Sequence, residues 1–150
     1  MACDISPDIP KPSIPPLQRR TNRPPFIPVA AISAEANIYL IGGSIPELEP
    51  TTKEYYNISL VFPPDGVLIG THLKTPLFSI DIPGKLKFKE SNVLSSDNEL
   101  TVIDRPEYRK IGLAICYDIH FPESAKISAR KFAFLLVYRG AFNITTGPRH

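Results

Sequence analysis

Residues 111–124 read Ile-Gly-Leu-Ala-Ile-Cys-Tyr-Asp-Ile-His-Phe-Pro-Glu-Ser. Glycine and apolar side chains fill the run up to Ile115, and the thiol of Cys116 closes it, with Tyr117 and Asp118 directly behind. A short continuous apolar run predicts a strand buried on both faces. Pro122 suits the first turn of a following helix, where its missing N–H is harmless. Glu123 complements the positive end of that helix. The sulfur of Cys116 therefore stands at a strand end, where layered sheets present reactive groups, and a nearby helix N-terminus favours thiolate. A free cysteine is also a common packing residue. Position, not residue type, makes Cys116 a candidate.

Outward from this stretch the chain alternates strands and helices. Downstream, Ala125, Ala129 and Phe132 fall at i, i+4, i+7 and predict one apolar helix stripe, and Phe134 to Tyr138 predicts a last buried strand. Upstream, Leu100 to Asp104 is the expected partner of 111–116. Tyr56 to Phe62 and Val67 to Thr71 flank Pro63-Pro64-Asp65-Gly66, a hairpin with turn-forming residues at its centre. Ala31 to Ala36 reads as a helix end leading into a strand at Asn37 to Ile41, closed by a glycine turn at Gly42-Gly43. Neither that pair nor Pro83-Gly84 opens a helix with phosphate-cradle spacing. Hairpins followed by a strand–helix–strand unit indicate a layered domain whose sheet is covered by helices.

The 150 residues suffice for one domain, and 43% hydrophobic with 21% charged residues is ordinary for a globular chain. A net charge of +2, with lysine and arginine scattered, gives no electrostatic case for nucleic acid or an anionic membrane. Proline is the anomaly. There are 17, about twice the usual share, and many fall in residues 1–30, which are expected to be irregular or disordered. The domain is expected over 31–150. Pro15-Pro16-Leu17-Gln18-Arg19-Arg20 is a weak match to a proline-helix ligand. Cys3 and Cys116 lie far apart and are expected to be free thiols in a reducing compartment, the cytosol first and an organelle second. No apolar run is long enough to span a bilayer, and Asp4 and Asp8 with no apolar core argue against a secretory signal. The acceptor patterns at Asn57 and Asn143 are then chance matches. His72, His120 and His150, with the two cysteines, lack zinc-ligand spacing, so each histidine is expected in a loop or on the surface and no metal or other cofactor is implied.

The stretch at 111–124 resembles the cysteine-nucleophile segment of the nitrilase superfamily, the carbon–nitrogen hydrolases. Residues 135–148, Leu-Leu-Val-Tyr-Arg-Gly-Ala-Phe-Asn-Ile-Thr-Thr-Gly-Pro, are similar to the next segment of the omega-amidase-like branch. Residues 38–47, 55–66 and 77–91 resemble earlier family segments in the correct order, so the likeness runs from about Ile38 to Pro148. It implies an α/β fold, the nitrilase-type α-β-β-α sandwich, incomplete here at both ends. It further implies a thiol amidase without cofactor, hydrolysing the ω-amide of a small dicarboxylic acid monoamide. By residue match Cys116 is the nucleophile, Lys74 stabilises the oxyanion and Glu90 orients that machinery. Tyr117, His120 and Phe142 are candidates to line the substrate pocket, with core packing the plain alternative for Tyr117 and Phe142.

Departures from the family pattern lower the expected turnover. The general-base glutamate belongs to a segment replaced here by the proline-rich stretch, and Glu35, the first glutamate, precedes the strand and does not take its role. Pro76 stands where the family has histidine, His120 where it has arginine, and Arg139 where it has proline. The rival expectation is a non-catalytic fragment that associates with itself or with a full-length relative.

Overall fold

The computed structural model describes residues 26–83, 86–105 and 109–141. Helix α1 (Ile27–Ala36) begins earlier than the prolines suggest, because Pro28 sits in its first turn, where proline needs no donor. Asn37 ends it in the left-handed conformation. Strands β1 (Leu40–Leu48), β2 (Tyr55–Phe62) and β3 (Gly70–Leu73) form an antiparallel sheet with β2 in the centre. A hairpin arm, β4 (Ser79–Ile82) and β5 (Leu86–Lys89), comes next. The second sheet holds β6 (Val102–Arg105), β7 (Arg109–Ile115) and β8 (Ala133–Arg139). Here β7 pairs antiparallel with β6 and parallel with β8. Helix α2 (Pro122–Arg130) makes the β7–β8 crossover and packs on β8.

Strand β2 explains the layering. Its Ile58, Leu60 and Phe62 face α1 and are buried with Phe26 and Leu68. Val61, on the opposite face, packs with Ile103 and Leu113 of the second sheet. Alternating side chains thus bury both faces, and the order of layers is α1, first sheet, second sheet, α2. That is the expected α-β-β-α sandwich. Ser33, fully buried on α1, places its hydroxyl 2.7 Å from the Ile38 carbonyl and 2.8 Å from that of Pro63, tying the helix to two strand ends.

Four local expectations need correction. Gly42-Gly43 is not a turn: β1 runs through it with a register shift between Ile41 and Ser44, a bulge that places one extra residue opposite β2. The stripe Ala125, Ala129, Phe132 is not buried. Helix α2 ends before Phe132, which is 80% exposed, and the residue it buries is Ser128. The reason is spacing: a Cβ on Gly112 of β7 would lie 2.6 Å from a Leu136 methyl and 3.2 Å from Ser128 Cβ, so only small side chains fit between helix and sheet. Strand β8 is not buried throughout either, since Phe134 and Leu135 are exposed beside Ile38. His72, expected on the surface, is fully buried in β3.

Arg139, at the end of β8, reaches across the sheets and donates from its guanidinium to the Ile41 carbonyl of β1. It thereby satisfies an acceptor on the outer edge of the first sheet. Among the described residues no helix is long and apolar enough to cross a membrane.

Gly112→Val is expected to destabilise the domain by about 1–3 kcal/mol through overpacking. Gly43→Ala, whose added Cβ meets its nearest neighbour at 3.7 Å, should stay within about 0.5 kcal/mol of the parent. Urea unfolding midpoints of the two variants check this.

Candidate functional site

Two strand ends and one hairpin base converge. The first is the end of β3. His72 and Lys74 lie two residues apart, so an extended chain turns both side chains to one face. Both are buried: Lys74 is only 1% exposed. Its backbone is anchored on both sides, the Lys74 amide donating to the Asn57 carbonyl and the Lys74 carbonyl accepting from the Asp97 amide.

An ammonium so placed needs a counter-charge. Glu90 supplies it from the base of the β4–β5 arm, where a short 3₁₀ turn (Glu90–Asn92) follows β5. Its Oε2 accepts from Lys74 Nζ at 2.6 Å and from the Phe78 amide at 2.6 Å. The Glu90 amide in turn donates to the Phe78 carbonyl, so the arm is closed at its root by a reciprocal pair of bonds.

The third element is the end of β7. Cys116 has φ +48°, a left-handed conformation that a non-glycine residue holds only when its surroundings enforce it. It opens a 3₁₀ turn (Cys116–His120), and α2 starts only at Pro122. The helix N-terminus expected beside the sulfur is therefore separated from it by this turn. Asp118 holds the turn, its Oδ2 accepting from the Ile115 amide at 2.7 Å. Cys116 is half-buried, and burial pushes its thiol above the ordinary value. The Lys74 ammonium pulls it down, Glu90 pushes it up, the Ala141 amide stabilises the thiolate and Asp118 opposes it. Burial dominates, so the site favours the protonated thiol over the thiolate suggested by the sequence.

Aromatic rings join these elements. Tyr117 meets Phe78 edge-on at 5.0 Å and Phe121 at 5.6 Å, with the His120 ring 4.9 Å away. The Tyr117 ring thus packs between the Lys74–Phe78 segment and the Cys116 turn. His120 is exposed at the rim. Phe142 lies outside the described residues, as do Cys3, Asn143 and His150. Glu35 is on the exposed side of α1. The structure brings Cys116, Lys74 and Glu90 into one electrostatic unit. It adds His72, Asp118, Thr101 and Phe78, none of which the sequence pattern marks as part of the site. The alternation of His72 with Lys74 is the signal that could have found the first of these. Among the described residues no group of three or more histidine, cysteine or acidic side chains could hold a metal ion.

A helix-covered double sheet with a cysteine on a left-handed strand end, beside a buried lysine–glutamate pair, defines a nitrilase-type architecture. A family model for carbon–nitrogen hydrolases matches residues 15–150, and the chain belongs to that family. It is 51% identical over 122 residues to omega-amidase NIT2-B of Xenopus laevis, an alignment covering 81% of this chain and 43% of that protein. With omega-amidase NIT3 of Saccharomyces cerevisiae it shares 51% over 113 residues, 75% of this chain and 38% of the relative. The crystal structure of Saccharomyces cerevisiae Nit3, a branch 10 member of the nitrilase superfamily, superposes with a TM-score of 0.70 at 45% identity, covering 81% of this chain and 41% of that one. The C. elegans NitFhit protein superposes with a TM-score of 0.74 at 30% identity, covering 88% of this chain and 32% of that one. The chain thus spans about two fifths of the length of these omega-amidase relatives.

Because the thiol is held protonated, alkylation of Cys116 by iodoacetamide should keep rising with pH past the ordinary thiol range. Lys74→Met removes the charge that lowers the thiol's pKa and should move this profile to higher pH. Glu90→Gln removes one that raises it and should move it lower. Each variant also strands a buried partner, at a cost of about 3 kcal/mol. Mass spectrometry of the Cys116 peptide across a pH series, with thermal unfolding alongside, measures both effects.

Proposed function

We propose that this chain is a thiol amidase of the omega-amidase type, acting on the ω-amide of a small dicarboxylic acid monoamide, with turnover well below that of its full-length relatives. The observation that carries the reading is the buried Lys74 ammonium, charge-paired to Glu90 and acting electrostatically on the Cys116 sulfur. The name omega-amidase on relatives 51% identical supports the substrate class.

In this mechanism Cys116 Sγ attacks the amide carbon. A C–S bond forms and the carbonyl pair moves onto oxygen, where Lys74 Nζ–H balances the charge. The thiol proton is transferred to the amide nitrogen, the C–N bond breaks and ammonia leaves. Water then attacks the thioester, releasing the acid and restoring the thiol. Glu90 is a positioning residue, keeping Lys74 Nζ aimed.

The slow step is removal of the thiol proton. Burial favours the protonated form. Of the carboxylates that act on the sulfur, Glu90 is bonded to Lys74 and the Phe78 amide, and Asp118 to His72 and the Ile115 amide. Neither is free to take the proton without breaking those bonds. An absent base typically removes about 10²–10⁴-fold of rate.

A second reading, a non-catalytic partner of a full-length relative, is favoured by the exposed apolar side chains of Phe134, Leu135 and Ile38, which border a cavity of about 350 Å³ between the sheets. Ammonia release from a dicarboxylic acid monoamide separates the two. The expected result is slow release, about 10²–10⁴-fold below a full-length omega-amidase, lost in Cys116→Ala. Parent and Cys116→Ala giving the same rate would end the amidase reading and leave the second, for which co-purification with the full-length relative is then the measurement.

A further inference from the structure

Behind the Cys116–Lys74 pair lies a second polar cluster that the amidase mechanism does not use. His72 is fully buried and Asp118 is 2% exposed. His72 Nε2 lies 3.3 Å from Asp118 Oδ2, and Nδ1 lies 3.2 Å from the Thr101 hydroxyl. An ionised carboxylate only accepts, so Nε2 carries the proton and donates to Asp118. Thr101 is tied in turn to the Thr71 carbonyl at 3.2 Å. Three separate chain segments are thereby joined: β3, the approach to β6, and the turn after β7.

The location of this cluster gives it a task. His72 precedes Lys74 by two residues on the same strand face, and Asp118 follows Cys116 by two residues in the same turn. The oxygen that binds His72 also accepts from the Ile115 amide, so it supports the left-handed backbone at Cys116. Asp118 Oδ1 has no hydrogen-bond partner among the described residues. The carboxylate is therefore held through Oδ2 alone, and His72 is the side chain that holds it. A buried carboxylate bound this sparingly is costly to keep.

We propose that His72 and Asp118 are a positioning pair, a buried bridge that fixes the Cys116 turn against the Lys74 strand end so that the ammonium stays close to the sulfur. The inference deepens the amidase reading, since its value lies in the thiol–ammonium geometry that reading uses. It is tested on thiol reactivity and not on turnover, so the two stand or fall separately.

The groups facing Cys116 are Lys74 at the end of β3, Glu90 after β5, Asp118 in its own turn and the Ala141 amide after β8. Tyr138 of β8 also feels Asp118, which together with burial raises its phenol. His72 is not among the groups that act most strongly on the sulfur. Its removal therefore reports on geometry, whereas an Asp118 variant would also change a charge beside the thiol.

The experiment is iodoacetamide alkylation of Cys116 across a pH series, read peptide by peptide so that Cys3 is counted separately. His72→Ala is expected to slow the reaction near neutral pH on the order of tenfold and to move the profile to higher pH. His72→Gln, whose amide N–H can donate to Asp118 from the place of Nε2, should restore the parent rate to within about threefold and recover part of the thermal midpoint lost in His72→Ala. An unchanged or faster reaction in His72→Ala, or equal slowing in both variants, overturns the proposal. If His72→Ala does not fold, Thr101→Val loosens the other side of the ring. A shift to higher pH in that variant supports the bridge, and an unmoved profile overturns it. Ammonia release measured on the same variants bears only on the amidase reading.

Discussion

One carboxylate oxygen organises the site. Glu90 Oε2 binds the Lys74 ammonium and the Phe78 amide together, and each bond makes the other worthwhile. The ammonium could not remain in a position 1% exposed without its counter-charge. The carboxylate, partly buried itself, gains a second donor that fixes its rotamer. Through Phe78 the effect passes to Tyr117, whose ring packs edge-on against it and carries the backbone next to Cys116. A single ion pair thus settles where the β4–β5 arm is rooted and how the lysine is aimed. It also sets which aromatic ring braces the thiol turn.

The layers beneath the site are held to the same close tolerance. A Cβ on Gly70 would collide with an Ile103 methyl, and one on Gly112 would meet Leu136 and Ser128. Both glycines mark places where backbone approaches the next layer too closely for a side chain. Lys74 follows Gly70 on the β3 segment and Cys116 follows Gly112 on β7. The two reactive ends are therefore set by sheet-to-sheet and helix-to-sheet distances as much as by their own bonds. Beside Ile115, its register partner on β7, Arg139 caps the Ile41 carbonyl, an edge acceptor on the first sheet. The Arg139 guanidinium thus serves the fold.

Much of this architecture was legible in local patterns. Apolar runs at 56–62 and 111–115 are strands, the Pro-Pro-Asp-Gly segment lies between an antiparallel pair whose second strand starts at Gly70 and not at Val67, and Pro122 opens a helix. Each of these signals acts over a few residues, which is why sequence carries it. The misreadings share a different cause. Gly42-Gly43 resembles a turn because a bulge and a turn use the same residues. Ala125, Ala129 and Phe132 have helical spacing, yet the helix approaches the sheet through Ser128 opposite Gly112, a fact set by a partner strand. His72 has no motif of its own, and its burial depends on Thr101 and Asp118 arriving from distant parts of the chain.

By itself the sequence determined the family, most of the strands and helices though not the β4–β5 arm, and the residue types available for chemistry, because motif order and side-chain periodicity are properties of the chain alone. Only the tertiary structure decided the state of those residues. Whether Lys74 is buried, whether Glu90 meets it, and whether the Cys116 sulfur rests as thiol or thiolate depend on the dielectric and the charges that other segments bring within a few ångströms. Desolvation and Coulomb energy are properties of a place in space, and a place in space is what the folded chain creates.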